Sequence, residues 1–95
     1  MADKEVKDRA EKYRHITEYA LKKIEIIAKT DREKKIAEDF LGMCKNYLSD
    51  GTHFERNGDY VLALAAYSYA HAWLDAGVRA GFFDGKGNDK LFTLP

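Results

Sequence analysis

The sequence has 95 residues, of which 45% are hydrophobic and 34% charged, a composition typical of one folded domain with a single core. Its sixteen basic and sixteen acidic residues cancel, and the two signs are interleaved along the first half, which excludes the basic stripe of general nucleic-acid binding. The chain is charged from Asp3 onward, with no signal-peptide core and no run long enough to span a membrane. Together with a lone cysteine, Cys44, these features predict a cytoplasmic protein that binds neither nucleic acids nor membranes.

The first predicted helix has a heptad-like apolar stripe whose members are spaced alternately by four and three residues. The stripe consists of Val6, Ala10, Tyr13, Thr17, Ala20, Ile24 and Ile27. On the outer face, acidic residues stand four positions before basic ones, as in Glu5 with Arg9 and Glu25 with Lys29. The pattern predicts a long amphipathic helix that continues to a break at Thr30.

The second predicted helix begins with a capping box, in which Thr30 is followed three residues later by Glu33. It runs to about Arg56. Cys44 flanks its inner face, and we expect this side chain to be core packing. Gly51 lies in the same helix, where glycine lowers helix stability by roughly 1 kcal/mol relative to Ala. We expect either close approach of a neighbouring helix at Gly51 or a ligand-facing notch.

The third predicted helix, residues 57–83, is the most apolar part of the chain. It begins at a turn in which Gly58 suits a left-handed helix cap and Asp59 caps the next helix. A seam of small residues on this helix lies beside a seam of bulky residues that includes Tyr67 and Leu74. The small seam consists of Ala63, Ala66, Ala70, Gly77 and Gly81. A helix apolar around most of its circumference needs neighbours on more than one side.

The residues after the third helix form a glycine-containing tail, residues 84–95, which we separate from the bundle domain, residues 1–83. The glycines at the start of this tail end the helical pattern. The last residues, Leu91-Phe92-Thr93-Leu94-Pro95, are apolar again. They are expected either to fold back over the end of the bundle or to dock on a neighbouring molecule.

One constellation on the third helix carries potential chemistry. Ser68, His71, Asp75 and Arg79 are spaced by three and four residues and lie along one side. A hydrogen-bonded pair of His71 and Asp75 is the usual start of a general-base arrangement, and Arg79 is the third catalytic candidate. The alternative is a polar binding edge that meets solvent or a second subunit. His15, His53 and His71 stand without a paired ligand motif, so we expect no metal and no cofactor.

The segment from Tyr47 to Gly81 resembles a small family of uncharacterised proteins, domain of unknown function 357. The resemblance rests on Tyr47-Leu48-Ser49-Asp50, on Gly58-Asp59-Tyr60, on the run from Ala63 to Gly81 and on Leu91-Phe92-Thr93. It implies a three-helix bundle and an archaeal source. It implies no activity and no catalytic residues.

These patterns predict an all-α protein, a three-helix up-and-down antiparallel bundle. The expected function is a non-catalytic protein-interaction module that binds a protein partner or self-associates as a homodimer. The reason is that two neighbouring helices leave Val61, Ala65 and Ala72 uncovered. The alternatives are an RNA-directed hydrolase that uses the His71/Asp75/Arg79 edge and a small-ligand bundle with a pocket near Gly51, His71 and Trp73.

Overall fold

The computed structural model describes residues 3–88 and 90–92, which form three α-helices and a two-stranded antiparallel sheet. The elements are α1 (Asp3–Lys23), β1 (Glu25–Ile26), α2 (Asp31–Arg56), α3 (Tyr60–Arg79) and β2 (Phe83–Asp84). The predicted all-α, three-helix up-and-down bundle is confirmed. The sheet is a small addition that joins the α1–α2 connection to the chain after α3.

Helix α3 is the central element of the bundle. Both α1 and α2 pack against it, whereas α1 and α2 touch each other much less. Ala10 lies beside Ala63 and Tyr67, and further along α1 Thr17 contacts His71, so α1 and α3 run in the same direction. The short turn at residues 57–59 makes α2 antiparallel to α3. This arrangement leaves one side of α3 without a neighbouring helix.

The start of α2 follows from its capping residues. The Thr30 hydroxyl accepts a hydrogen bond from the backbone N–H of Glu33 at 3.1 Å, which satisfies a donor that has no partner inside the helix. The Glu33 carboxylate in turn accepts the backbone N–H of Lys29 at 3.2 Å. The predicted cap at Thr30 is confirmed.

The turn between α2 and α3 is also as predicted. Gly58 has a φ of 77°, a left-handed conformation that glycine adopts without steric cost. Its N–H donates to the carbonyl of Glu55, and the N–H of Asp59 donates to that of Phe54, the hydrogen-bond pattern of a Schellman motif. The Asp59 carboxylate then accepts the N–H of Leu62 and caps α3.

Helix α1 ends at Lys23, earlier than the sequence pattern predicts. The following residues, 24–27, include three isoleucines, which favour extended backbone, and part of this segment pairs with β2 instead of continuing the helix. The N–H of Ile27 donates to the carbonyl of Phe82 at 2.8 Å. The predicted extension was wrong because a partner strand distant in sequence supplies these hydrogen bonds.

The predicted helical ion pair between Glu25 and Lys29 is therefore wrong as well, because neither residue lies in a helix. Glu25 accepts a hydrogen bond from the ammonium group of Lys86 at 2.7 Å. This contact joins the α1–α2 connection to the turn after β2.

Helix α3 ends at Arg79, before the predicted limit. Gly81 has a φ of 81°, and its N–H donates to the carbonyl of Val78 while the N–H of Phe82 donates to that of Gly77. This second Schellman motif reverses the chain. Gly81 therefore caps the helix and is exposed, so its predicted place in the seam of small residues was wrong.

The chain after α3 folds back onto the bundle. The Phe83 ring is buried against Gly77, where a β-carbon would overlap the ring. Phe92 is also buried in the core that contains Phe83, and Leu91 packs against the same core. Of the two expectations for the tail, these residues show the fold-back one. Residues 93–95 lie outside the described part of the chain.

Candidate functional site

The structure places the predicted edge of α3 at the boundary between the bundle and solvent. Ser68 and Arg79 are exposed, whereas His71 and Asp75 are half-buried. The distance from His71 Nε2 to Asp75 Oδ1 is 3.8 Å, close enough for charge interaction but longer than a hydrogen bond. The structure thus brings His71 and Asp75 together.

Both ring nitrogens of His71 have other partners within the protein. Nε2 lies 2.5 Å from the carbonyl oxygen of Leu91, and Nδ1 lies 3.0 Å from the hydroxyl of Thr17. A carbonyl only accepts hydrogen bonds, so Nε2 carries the proton and, in the neutral ring, Nδ1 accepts from the Thr17 hydroxyl. The Phe92 ring stacks on His71 at a centroid distance of 6.3 Å. His71 therefore connects α1, α3 and the C-terminal segment.

This geometry constrains what His71 can do chemically. A general base must offer an unprotonated nitrogen to its substrate within hydrogen-bond reach. Here Nδ1 faces the fully buried Thr17, and Nε2 faces the backbone of Leu91. Proton transfer through His71 thus requires the C-terminal segment to move away from the ring.

A second polar cluster joins all three helices, and sequence reasoning missed it. The Glu55 carboxylate accepts the Tyr67 hydroxyl at 2.7 Å and the Arg14 guanidinium at 2.5 Å. Burial, followed by the neighbouring Glu55 carboxylate, raises the pKa of Tyr67 well above its usual range. Tyr67 is fully buried, and the cluster gives its hydroxyl a partner in the core.

The same tyrosine explains Gly51. A β-carbon at Gly51 would overlap the ring of Tyr67, so the absent side chain provides space for α3. Close approach of a neighbouring helix is therefore the correct alternative for Gly51. The structure places two residues of the predicted pocket against different helices: His71 contacts Thr17 of α1, whereas Trp73 packs on Phe40 of α2 at a centroid distance of 5.2 Å.

Cys44 lies in the core, as predicted, with no exposed surface. Burial raises the pKa of its thiol to about 11. At neutral pH the group stays protonated, and thiols react as thiolates. Cys44 therefore packs as a small apolar residue.

The uncovered side of α3 differs from an ordinary protein surface. We define the α3 face as Val61, Leu62, Ala65, Ser68, Tyr69 and Ala72, all of which are exposed. Val61 is 66% exposed, Tyr69 49% and Leu62 46%. The expectation that Val61, Ala65 and Ala72 would be left uncovered is confirmed. The chain contains no Asp, Glu, Lys or Arg between Asp59 and Asp75, so the whole face is uncharged.

A groove runs along one edge of this face, between α2 and α3. The α2/α3 groove has a volume of about 350 Å³. It is lined by Tyr47, Asp50, Phe54, Leu62, Ala65, Ala66 and Tyr69. Two of the lining residues, Tyr47 and Tyr69, contact each other edge to face, with ring centroids 4.4 Å apart. The lining is almost wholly apolar, and Asp50 is its one charged member. Sequence reasoning did not identify this groove.

Within residues 3–88 and 90–92, no group of three or more His, Cys, Asp and Glu side chains is placed to hold a metal ion. In the same part of the chain, none of the helices has both the length and the apolar character needed to cross a bilayer.

A family model described as a protein of unknown function (DUF357) matches residues 12–83, from Lys12 in α1 to the first residue of β2. The match thus includes just over half of α1 and stops before Leu91. The resemblance seen in the sequence, by contrast, left out α1 and included Leu91-Phe92-Thr93. No curated protein and no solved structure gives a significant match. Because the matched residues make up well over half of the chain, the protein belongs to the DUF357 family of proteins of unknown function.

Proposed function

We propose that this protein is a non-catalytic interaction module whose α3 face binds a helix of a protein partner, either another protein or a second copy of the chain. The observation that supports this function is the exposure of Val61, Leu62 and Tyr69 on the most apolar helix of the bundle. A cytoplasmic location, suggested by the free and buried Cys44, belongs to the same proposal, as does the archaeal source implied by the resemblance.

The composition of the α3 face supports an interface more than an ordinary surface. Single exposed apolar residues are normal in folded proteins, but contiguous apolar patches mark sites of interaction. In this chain 34% of residues are charged, and the exposed faces of α1 and α2 are rich in Lys, Arg, Asp and Glu. The α3 face has none of these residues.

The shape of the face suits a helical partner. From Val61 to Ala72 it extends about 16 Å along the helix axis, at a rise of 1.5 Å per residue. Ala65, Ser68 and Ala72 are small, which allows the axis of a second helix to come close. Binding of an amphipathic helix to an apolar surface of this kind is a common mode of recognition.

The proposal is tested by affinity capture with a matched pair of variants. Ala65→Glu adds a charge to the middle of the α3 face, and Ser49→Glu adds the same charge to an exposed position of α2 that does not line the groove. Wild-type protein and the two variants serve as baits in a lysate of the source organism. Circular dichroism confirms that all three have the same helix content.

We expect the wild type and Ser49→Glu to retain the same partner and Ala65→Glu to lose it. Identical capture by all three baits would contradict the proposal, since binding would then not involve the face. The proposal would also be contradicted if no bait captured a partner and the wild type did not self-associate at micromolar concentrations.

Catalysis at the predicted edge, Ser68, His71, Asp75 and Arg79, is the alternative function. An RNA-directed hydrolase of this kind would use His71 after release of the Leu91 carbonyl. Loss of RNA cleavage in His71→Ala, with unchanged helix content, would support that alternative.

A further inference from the structure

We propose that the α2/α3 groove binds an amphipathic helix of another protein, which inserts apolar side chains between Tyr69 and Phe54 and carries a lysine or arginine opposite Asp50. This inference rests on the proposed function of the α3 face and specifies the chemistry of the partner.

The size and lining of the groove fit apolar side chains. Its volume of about 350 Å³ lies at the lower end of the ~300–1,000 Å³ that is usual for pockets in proteins. The lining combines the small side chains of Ala65 and Ala66 with larger ones that include Leu62 and Phe54. Neighbouring apolar side chains on one face of a helix, three or four residues apart, match such an elongated groove.

The wall on the α3 side is already held in place in the unbound protein. Tyr69 contacts Tyr47 at 4.4 Å and Trp73 at 6.1 Å between ring centroids. Trp73 in turn packs on Phe40, and Phe40 lies beside Phe82. This aromatic series fixes Tyr69 to the core, so binding does not require ordering of the wall. Tyrosine is also enriched among residues that dominate binding energy.

The charge at the groove identifies the polar part of the partner. Asp50 is exposed on α2 and is the one charged side chain among the lining residues. Charges at the rim of an interface contribute mainly to specificity and association rate, and they favour the opposite sign on the partner. A basic residue beside the apolar anchors is therefore expected on the bound helix.

A second copy of this chain fits the groove less well. If two α3 helices pack antiparallel about a two-fold axis near Ala65, the two α2 helices lie on the same side and the two Asp50 carboxylates approach each other. Like charges across an interface are unfavourable. In a parallel pairing, the two grooves lie on opposite sides and neither fills the other. The groove thus favours a different protein.

The test is a selection from a displayed library of helical peptides with one leucine-rich face and randomised flanking positions. The full-length wild type, Asp50→Lys and the control Ser49→Lys are used as targets. We expect wild type and Ser49→Lys to enrich lysine or arginine at one fixed distance from the leucines. Asp50→Lys should enrich Glu or Asp at that position. Ala65→Glu should weaken binding of the selected peptides by about tenfold or more.

The possible results separate this inference from the proposed function. Binders that lose affinity in Ala65→Glu but show no charge preference linked to Asp50 would overturn the inference and leave the function of the face intact. Binders unaffected by Ala65→Glu would overturn both. A dimer seen by sedimentation velocity and dissociated by Ala65→Glu would overturn the inference in favour of a second copy.

Discussion

The ring of Tyr67 lies where a side chain on Gly51 would project, so α3 approaches α2 closely at this pair. A β-carbon at Gly51 would overlap three ring atoms of Tyr67. The hydroxyl of the same tyrosine donates to Glu55 one helical turn further along α2. Through its packing and its hydrogen bond, Tyr67 thus fixes the position of α3 against α2.

We predict that Gly51→Ala destabilises the protein by about 1–3 kcal/mol, because the added methyl group overpacks the core. The control is Gly42→Ala in the same helix, where a β-carbon would meet no atom within 4 Å. There the higher helix propensity of alanine should stabilise the fold by about 0.5–1 kcal/mol. Urea unfolding measures both variants. A stabilised Gly51→Ala variant would show that Tyr67 does not occupy this space.

The pKa of Tyr67 predicts how stability changes at high pH. Burial and Glu55 raise this pKa in the folded state, whereas the unfolded chain titrates near the usual value of about 10. The unfolded state therefore loses its proton first, and Tyr67 contributes less stability as the pH rises above about 10. Tyr67→Phe should lower the free energy of unfolding by about 1–2 kcal/mol at pH 7. Above pH 10 this variant should lose less stability than the wild type.

Tyr19→Phe is the control for this prediction, because Tyr19 is 51% exposed. Its stability should follow that of the wild type across the pH series, measured by urea unfolding at each pH. Equal slopes above pH 10 for the wild type and Tyr67→Phe would contradict the assignment.

His71 is predicted to hold the C-terminal segment in place. His71→Ala removes the partner of the buried Thr17 hydroxyl and of the Leu91 carbonyl, at a cost of about 1–3 kcal/mol. Amide hydrogen exchange at Leu91 and Phe92 should become faster, as measured by NMR. Ser68→Ala, an exposed change on the same helix, should shift stability by less than about 0.5 kcal/mol. Unchanged exchange at both amides in His71→Ala would show that the histidine does not hold the segment.

The buried thiol gives a further prediction. Because the pKa of Cys44 is raised to about 11 and the side chain is inaccessible, Ellman's reagent should not label the folded protein at pH 8 within minutes. Labelling should become fast in urea above the unfolding midpoint. Rapid labelling without denaturant would show that the packing around Cys44 opens readily.

The parts of the fold that could be predicted from sequence depend on neighbours along the chain. The caps at Thr30 and Asp59 and the left-handed Gly58 use residues within one turn of each other, so short motifs reveal them. The end of α1 could not be predicted in this way. It depends on pairing between residues 24–27 and 82–84, and a heptad-like stripe through Ile27 has the same spacing whether or not that pairing occurs. The end of α3 was missed although its Schellman motif at Gly81 is local.

The same distinction explains the outcome for the candidate site. The uncovered α3 face was predicted because the apolar residues Val61, Ala65 and Ala72 recur at helical spacing on a helix that has only two neighbours. The cluster of Arg14, Glu55 and Tyr67 joins three separate helices, and no spacing in the sequence relates them. The hydrogen bond from His71 to Leu91 ends on a backbone carbonyl, which no side-chain pattern indicates.

The most direct test of the central claim is photo-crosslinking from the α3 face in a lysate of the source organism. A photoreactive phenylalanine derivative replaces Leu62 on the face in one sample and Ser49 in a second, control sample. We predict a discrete product of higher mass from position 62 that is absent from position 49, and mass spectrometry of that product identifies the partner. Equal products from both positions, or no product from position 62, would contradict the account.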